Sequence, residues 1–209
     1  MRRKRHLLTG LGLTVALVLA LGLSSATATT VSTLTGETLS GSSSQGNSRA
    51  CTTPTFSVSG IATGPYPGTF TETGTWAPLS FSFSATFTTT SGITTITGGK
   101  TLSRDTPGLS GTFDCGFDPS TLDLTGVPYT ATIHSPNGSF HDEGVSTMHV
   151  AITGSGAATL TELFASSLAQ PVLIAPTSKD QCKHEGWRAF PQFRHQGQCV
   201  SSVESQRQT

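Results

Sequence analysis

Imidazole and carboxylate side chains recur between residues 134 and 149: His134, His141, Asp142, Glu143 and His149. Imidazole with carboxylate is a donor set for Zn²⁺ or Cu²⁺. His134, His141 and Glu143 would share the outer face of one hairpin. His149 cannot join them, because eight residues of strand beyond His141 span ~26 Å. Two imidazoles and one flexible carboxylate on a solvated hairpin read as surface side chains, so no metal and no cofactor are expected. Asp114, Asp118 and Asp123 raise the question of a glycosidase pair, which needs two carboxyls at a fixed separation across a cleft. Acids this close to Pro119, like Asp142 and Glu143 close to Gly144, are more often turn or edge residues. Serine and threonine are abundant, yet no Gly-x-Ser-x-Gly elbow and no Ser-x-x-Lys occurs. Gly98-Gly99-Lys100 lacks the rest of a phosphate-binding loop. The chain is therefore read as a non-catalytic protein. The alternative is a small barrel enzyme, an isomerase or hydrolase, with Tyr66, Asp114 or Asp142 in a cavity. The stretch Gly64-Pro65-Tyr66-Pro67-Gly68 is a rigid loop presenting Tyr66 or a tight connection between strands.

The C-terminal stretch is unlike anything upstream. Cys182 and Cys199 bracket Trp187, Phe190 and Phe193 together with Lys183, Arg188 and Arg194. The aromatics recur every three residues, roughly one face of a helical turn, although Pro191 would interrupt a regular helix. They form a small core around a disulfide or, with the cations, an adhesive patch (Trp187, Arg188, Phe190, Phe193, Arg194) for an anionic envelope polymer. Four cysteines allow three pairings. Cys51–Cys115 and Cys182–Cys199 keep each bridge within one compositional segment and are the expected pair. The second closes a loop of about 18 residues, worth roughly 3 kcal/mol on the chain-entropy model.

This tail resembles a module that ends many small secreted proteins of actinobacteria, of pattern Cys-Lys-x-Gly-Gly-Trp-x-x-Phe-x-x-Phe-x-Asn-Gln-Gly-x-Cys-Val-Ser. The matches are Cys182, Lys183, Gly186, Trp187, Phe190, Phe193, Gln196, Gly197, Cys199, Val200 and Ser201. The chain departs at Glu185, where the pattern has Gly, and at His195, where it has Asn. The resemblance implies a secreted protein and no particular activity. The body is similar to other secreted domains of the same bacteria and, loosely, to small eight-stranded barrels.

The N-terminus agrees with export. Arg2, Arg3, Lys4 and Arg5 precede an apolar stretch from Leu7 to Leu23, and Ala26-Thr27-Ala28 offers a cleavage site. A signal peptide at 1–28 leaves an extracellular chain with no integral membrane anchor. That chain holds 8 Lys and Arg against 12 Asp and Glu, a net of −4. Residues 51–164 carry two cations against eight acids, a net of −6, and residues 179–209 carry five against three, a net of +2. So acidic a body is no nucleic-acid binder, because phosphate contacts need many Lys and Arg. The partners considered are a small apolar ligand and a cell-envelope polymer, the latter bound by the tail of a structural envelope protein.

Residues 29–50 are Ser, Thr and Gly with few large apolar groups and are read as a flexible leader. From 51 to 164 apolar residues alternate with Ser and Thr, the period of a strand with one buried face. Strands are expected near 56–61, 68–76, 79–88, 93–102, 111–117, 127–134, 145–153 and 158–164, with Phe81, Phe83, Ala85 and Phe87 on one face. About eight strands predict an all-β fold, an antiparallel barrel or sandwich, with a small disulfide-closed C-terminal module. Asn137-Gly138 is a strong hairpin turn signal. It would set His134 opposite His141 and put Tyr129, Ala131 and Ile133 on one face with Met148, Val150 and Ile152. Residues 165–180, with Pro171 and Pro176, are read as a linker whose Val172-Leu173-Ile174 packs along the body or adds an edge strand. The module itself occupies 181–209.

Overall fold

The structure is a computed structural model and describes residues 31–206 apart from Cys51 and Pro191. The signal peptide expected at 1–28 and the Cys51 partner proposed for Cys115 lie outside the described residues. Ten strands follow one another: β1 (Thr38–Ser43), β2 (Thr55–Thr63), β3 (Gly68–Ala77), β4 (Ser82–Ser91), β5 (Thr94–Leu102), β6 (Ser110–Asp114), β7 (Ser120–Ser135), β8 (Gly138–Ile152), β9 (Ala158–Ser166) and β10 (Val172–Leu173). Eight of them close an antiparallel barrel in the order β1-β2-β3-β4-β5-β7-β8-β9, with β9 pairing back onto β1. A row of cross-strand partners leaves β8 at Ala151, circles through Thr159, Ser42, Thr88 and Thr132, and returns to β8 at His141. That ten-residue stagger is the shear a closed barrel requires of tilted strands. The outward partners in this row are mostly hydroxyls, the reverse of the apolar band of a membrane-spanning barrel.

Barrel and not sandwich is thus the architecture, and the ring differs from expectation in one strand. The strand expected at 111–117 is β6, which runs beside the first half of β7 outside the ring. Its place is taken by β1, within the stretch read as a flexible leader. Composition misled here because β1 needs little side-chain bulk. Leu39 and the preceding Leu34 are buried, and Gly41 lies directly across from Gly60. A Cβ on Gly60 would sit 2.2 Å from the Ser40 carbonyl oxygen, and one on Gly41 would sit 2.7 Å from the Phe70 ring. Small residues admit a close strand approach and leave the Phe70 ring its space.

The same device recurs around the barrel. Phe56 faces Gly74 on the next strand, Phe70 faces Gly60, and Phe87 faces Gly98. A Cβ on Gly74 would lie 2.5 Å from the Phe56 ring, and one on Gly98 would lie 2.3 Å from the Phe87 ring. Each phenyl ring covers a glycine, so large and small inward residues alternate and the interior fills. Trp76, Phe83 and Phe164 complete this core.

Two local expectations are corrected. Phe81 is not on β4: it turns at φ +51 before the strand and stacks edge-on against Phe113 with ring centroids 4.6 Å apart. The β7–β8 hairpin turns at Pro136-Asn137, so that Ser135 pairs with Gly138 and His134 with Ser139, not His141. The partner moves by two residues, which preserves the faces. Tyr129, Ala131, Ile133, Met148, Val150 and Ile152 are all buried together as expected. A bulge at Gly126 (φ +79) switches the inward set of β7 from even to odd positions, so Leu122 and Leu124 are also inside. Replacing Gly98 by Val should destabilise the barrel by about 1–3 kcal/mol through overpacking against Phe87. Urea unfolding of G98V beside Gly99→Val, whose outward Cβ meets only one atom at 3.7 Å, measures this, the latter remaining near wild type.

Candidate functional site

Charged residues occupy the apolar face of three strands. Glu72 shares its side of β3 with Phe70 and Trp76, Lys100 its side of β5 with Ile96 and Leu102, and Glu162 its side of β9 with Leu160 and Phe164. All three side chains are fully removed from solvent and converge inside the barrel. The Lys100 ammonium donates to Glu72 Oε1 at 2.7 Å and to Glu162 Oε2. Its remaining surroundings are aromatic: the Phe87 ring centroid lies 5.0 Å away and that of Phe164 5.3 Å.

Two ionised carboxylates on one ammonium would leave a net negative charge in an apolar core, at high desolvation cost. One shared proton makes the trio neutral. Among the described residues Glu72 Oε2 and Glu162 Oε1 have no other partner, and a hydrogen bond between the Glu72 and Glu162 side chains favours the protonated form of Glu72. Burial pushes the Glu72 carboxyl up to about 8; the Lys100 charge opposes the rise and the Glu162 charge adds to it. Burial would lower Lys100, but Glu162 and Glu72 outweigh it and hold the ammonium above the ordinary lysine range.

A second polar cluster closes one barrel mouth. Asp142 of β8 is wholly buried. Its Oδ2 accepts the Leu34 backbone N–H and the Tyr129 hydroxyl, each at 3.0 Å, and its Oδ1 accepts the Ser166 hydroxyl at 2.6 Å. Tyr66 does not project outward from its Pro-rich loop. It is buried, and its hydroxyl donates to the Ser32 carbonyl while its N–H donates to Glu37 Oε2 at 2.9 Å. Burial, with the nearby Asp142 and Glu37 charges, holds the Tyr66 hydroxyl up at about 12 despite its bond to Ser32.

The remaining sequence candidates stay apart. His141 Nε2 lies 3.0 Å from Glu143 Oε2, His134 Nδ1 lies 2.9 Å from Ser139 Oγ, and His149 Nδ1 lies 2.5 Å from Asp123 Oδ1. Among the described residues no three metal-ligating side chains converge. Asp114 is exposed on β6, and Asp118 accepts the Gly154 N–H at 2.9 Å. Both are exposed, whereas Tyr66 and Asp142 are buried. Glu72, Glu162 and Glu37 went unnoticed in the sequence, where Lys100 was considered only as the end of an incomplete phosphate-binding loop, although Lys100, Glu72 and Glu162 stand out as charges at apolar strand positions.

The Cys182–Cys199 disulfide is formed. Around it pack Phe190, Val203 and, half-buried, Ile174, Trp187, Phe193 and Val200. Phe190 therefore belongs to the module's own core and not to an adhesive surface, whereas Arg188 and Arg194 are exposed. Arg188 lies 5.3 Å over the Trp187 ring. Ahead of the module, β10 pairs with β8. Ile174 N–H donates to the Ser139 carbonyl at 2.8 Å, and Gln192 Nε2 donates to the Ile174 carbonyl at 3.0 Å. Between body and module runs an open groove of about 530 Å³ lined by Ile93, Thr95, His134, Pro136, Ser139 and Arg188. Glu185, standing where the resembled pattern has Gly, adopts a left-handed backbone at φ +66, which explains the glycine preference. No family model matches the chain, nor does any curated protein or solved structure.

Glu72 keeps its proton in the fold above the pH at which it loses it in the unfolded chain. Its contribution to stability is full below pH 4.5, falls as pH rises toward about 8 and changes no further beyond it. Denaturant titrations from pH 4 to 9 should show this decline in wild type and its loss in Glu72→Gln, whose amide does not ionise. Removing the cation in Lys100→Met should cost about 3–5 kcal/mol at neutral pH, because the one carboxylate charge shared by Glu72 and Glu162 is left buried without its counter-ion. Glu185→Gly should raise the denaturation midpoint of the module by relieving about 1 kcal/mol of left-handed strain.

Proposed function

We propose that this is an exported, non-catalytic binding protein that engages an anionic polymer of the cell envelope through the groove between barrel and C-terminal module. The observation that carries this reading is where the solvent-accessible cationic chemistry lies. Inside the barrel Lys100 is bound by Glu72 and Glu162, and Asp142 by three donors. At the groove Arg188, which shares its charge with the exposed Glu185 at 3.4 Å, and His134, bonded to Ser139 at 2.9 Å, border open space beside the exposed Ile93 and Pro136. A guanidinium suits phosphate or carboxylate groups, and the module's net +2 beside a body of net −6 directs a polyanion to this end.

Export is supported by the basic and apolar N-terminal residues and by the Cys182–Cys199 bridge, which accords with an extracellular protein. No helix of the described residues is long and apolar enough to cross a membrane. The intact chain should bind immobilised poly(glycerol phosphate) more tightly than neutral dextran, with affinity falling as salt rises. Arg188→Ala combined with His134→Ala should weaken binding on the order of 10-fold and flatten the salt dependence. Equal binding by the double variant would defeat the proposal.

A further inference from the structure

The mouth containing Asp142 is closed by the chain itself, and the way it is closed resembles a bound ligand. Residues 31–37 cross the opening before β1 begins. Leu34 is 1% exposed and joins the barrel core. Its backbone N–H meets the buried Asp142 carboxylate at 3.0 Å. The segment thus presents one apolar group and, next to it, one hydrogen-bond donor. The receiving wall consists of Tyr129 and Phe164, whose rings meet edge-on at 5.0 Å, the Ser166 hydroxyl and Tyr66.

One group in this mouth is left over. Glu37 is 1% exposed. Its Oε2 accepts the Tyr66 N–H, but its Oε1 has no partner. A buried acceptor without a donor is costly, so the strapped mouth is incompletely satisfied. The strap is also lightly held. Val31 and Leu34 are its only apolar side chains among Ser, Thr and Gly. It is pinned by Leu34 N–H to Asp142, Gly36 N–H to the Phe164 carbonyl at 3.0 Å, the Ser166 N–H to Thr35 Oγ1 at 3.1 Å, and the Tyr66 hydroxyl to Ser32.

We propose that the mouth beneath residues 31–36 is a binding site for a small amphipathic molecule that pairs an apolar body with N–H or O–H donors, and that Leu34 occupies it as a built-in competitor. The ligand displaces the strap, buries its apolar body against Phe164 and Tyr129, and gives Asp142 the donor that Leu34 N–H had supplied. A second donor satisfies Glu37 Oε1. β1 stays in the barrel, since its pairing with β2 and β9 begins at Thr38. The site is independent of the junction groove and needs no residue of it.

N-phenyl-1-naphthylamine, a neutral probe with one N–H beside two aromatic groups, tests this on the full mature chain. Two variants weaken the strap differently. Leu34→Ala removes the competing side chain. Gly36→Ala leaves the pocket untouched, because the added Cβ meets nothing within 4 Å, but strains the strap at φ +81. Fluorescence titration should show tighter binding for both, on the order of 10-fold, as the competing closed state loses population. Asp142→Asn in the Leu34→Ala background should abolish the gain. In wild type, saturating probe should speed hydrogen exchange at the Leu34 and Gly36 amides. Either of two results would overturn the proposal: Gly36→Ala that unfolds cooperatively yet binds the probe no tighter than wild type, or probe binding that leaves the Leu34 amide protected.

Discussion

A lysine ammonium deep in an apolar barrel needs compensating charge, and here the compensation ties together strands far apart in sequence. Lys100 comes from β5, Glu72 from β3 and Glu162 from β9. Their meeting requires the closed ring, because β9 reaches the trio only by pairing through β1 back toward β2 and β3. A one-residue slip of any of these strands would turn its charge to solvent and leave the others uncompensated inside. Net stabilisation by a buried ion trio is not implied, since desolvation opposes it. What the trio imposes is a large cost on any arrangement in which one member is missing.

Around this centre the interior is occupied. Phenyl rings lie over cross-strand glycines, and Trp76 and Phe83 fill much of the remaining space. The Glu72, Lys100 and Glu162 side chains inside are committed to each other. Chain and surface meet less completely at the junction with the C-terminal module and at the strapped mouth, the two places proposed above for recognition. The module reaches the barrel by a two-residue strand and a few hydrogen bonds near the β7–β8 turn. Its groove position follows directly from where that turn lies.

Much of the fold was readable from alternation alone, because a strand with one wet face must repeat every two residues. Seven of the eight ring strands stood out this way. β1 did not, since Ser-Gly-Ser carries no apolar pattern and its burial depends on Gly60 and Phe70 of other strands. The hairpin shows how far such reasoning extends. The Asn137-Gly138 signal misplaced the turn, yet the faces were right, because a two-residue shift leaves the side-chain period unchanged.

The sequence by itself determined the strand period, the disulfide-bounded tail and the separation of an acidic body from a basic end. These are local or compositional properties, set by neighbours along the chain. It also contained an unread signal, three charges on apolar faces at Glu72, Lys100 and Glu162. Only the tertiary structure decided that they meet, because the contact crosses 62 residues between Lys100 and Glu162 and depends on ring closure and shear. The same holds for Asp142 and Leu34, 108 residues apart. Long-range register fixes which side chains share an interior layer, and no local pattern carries that information.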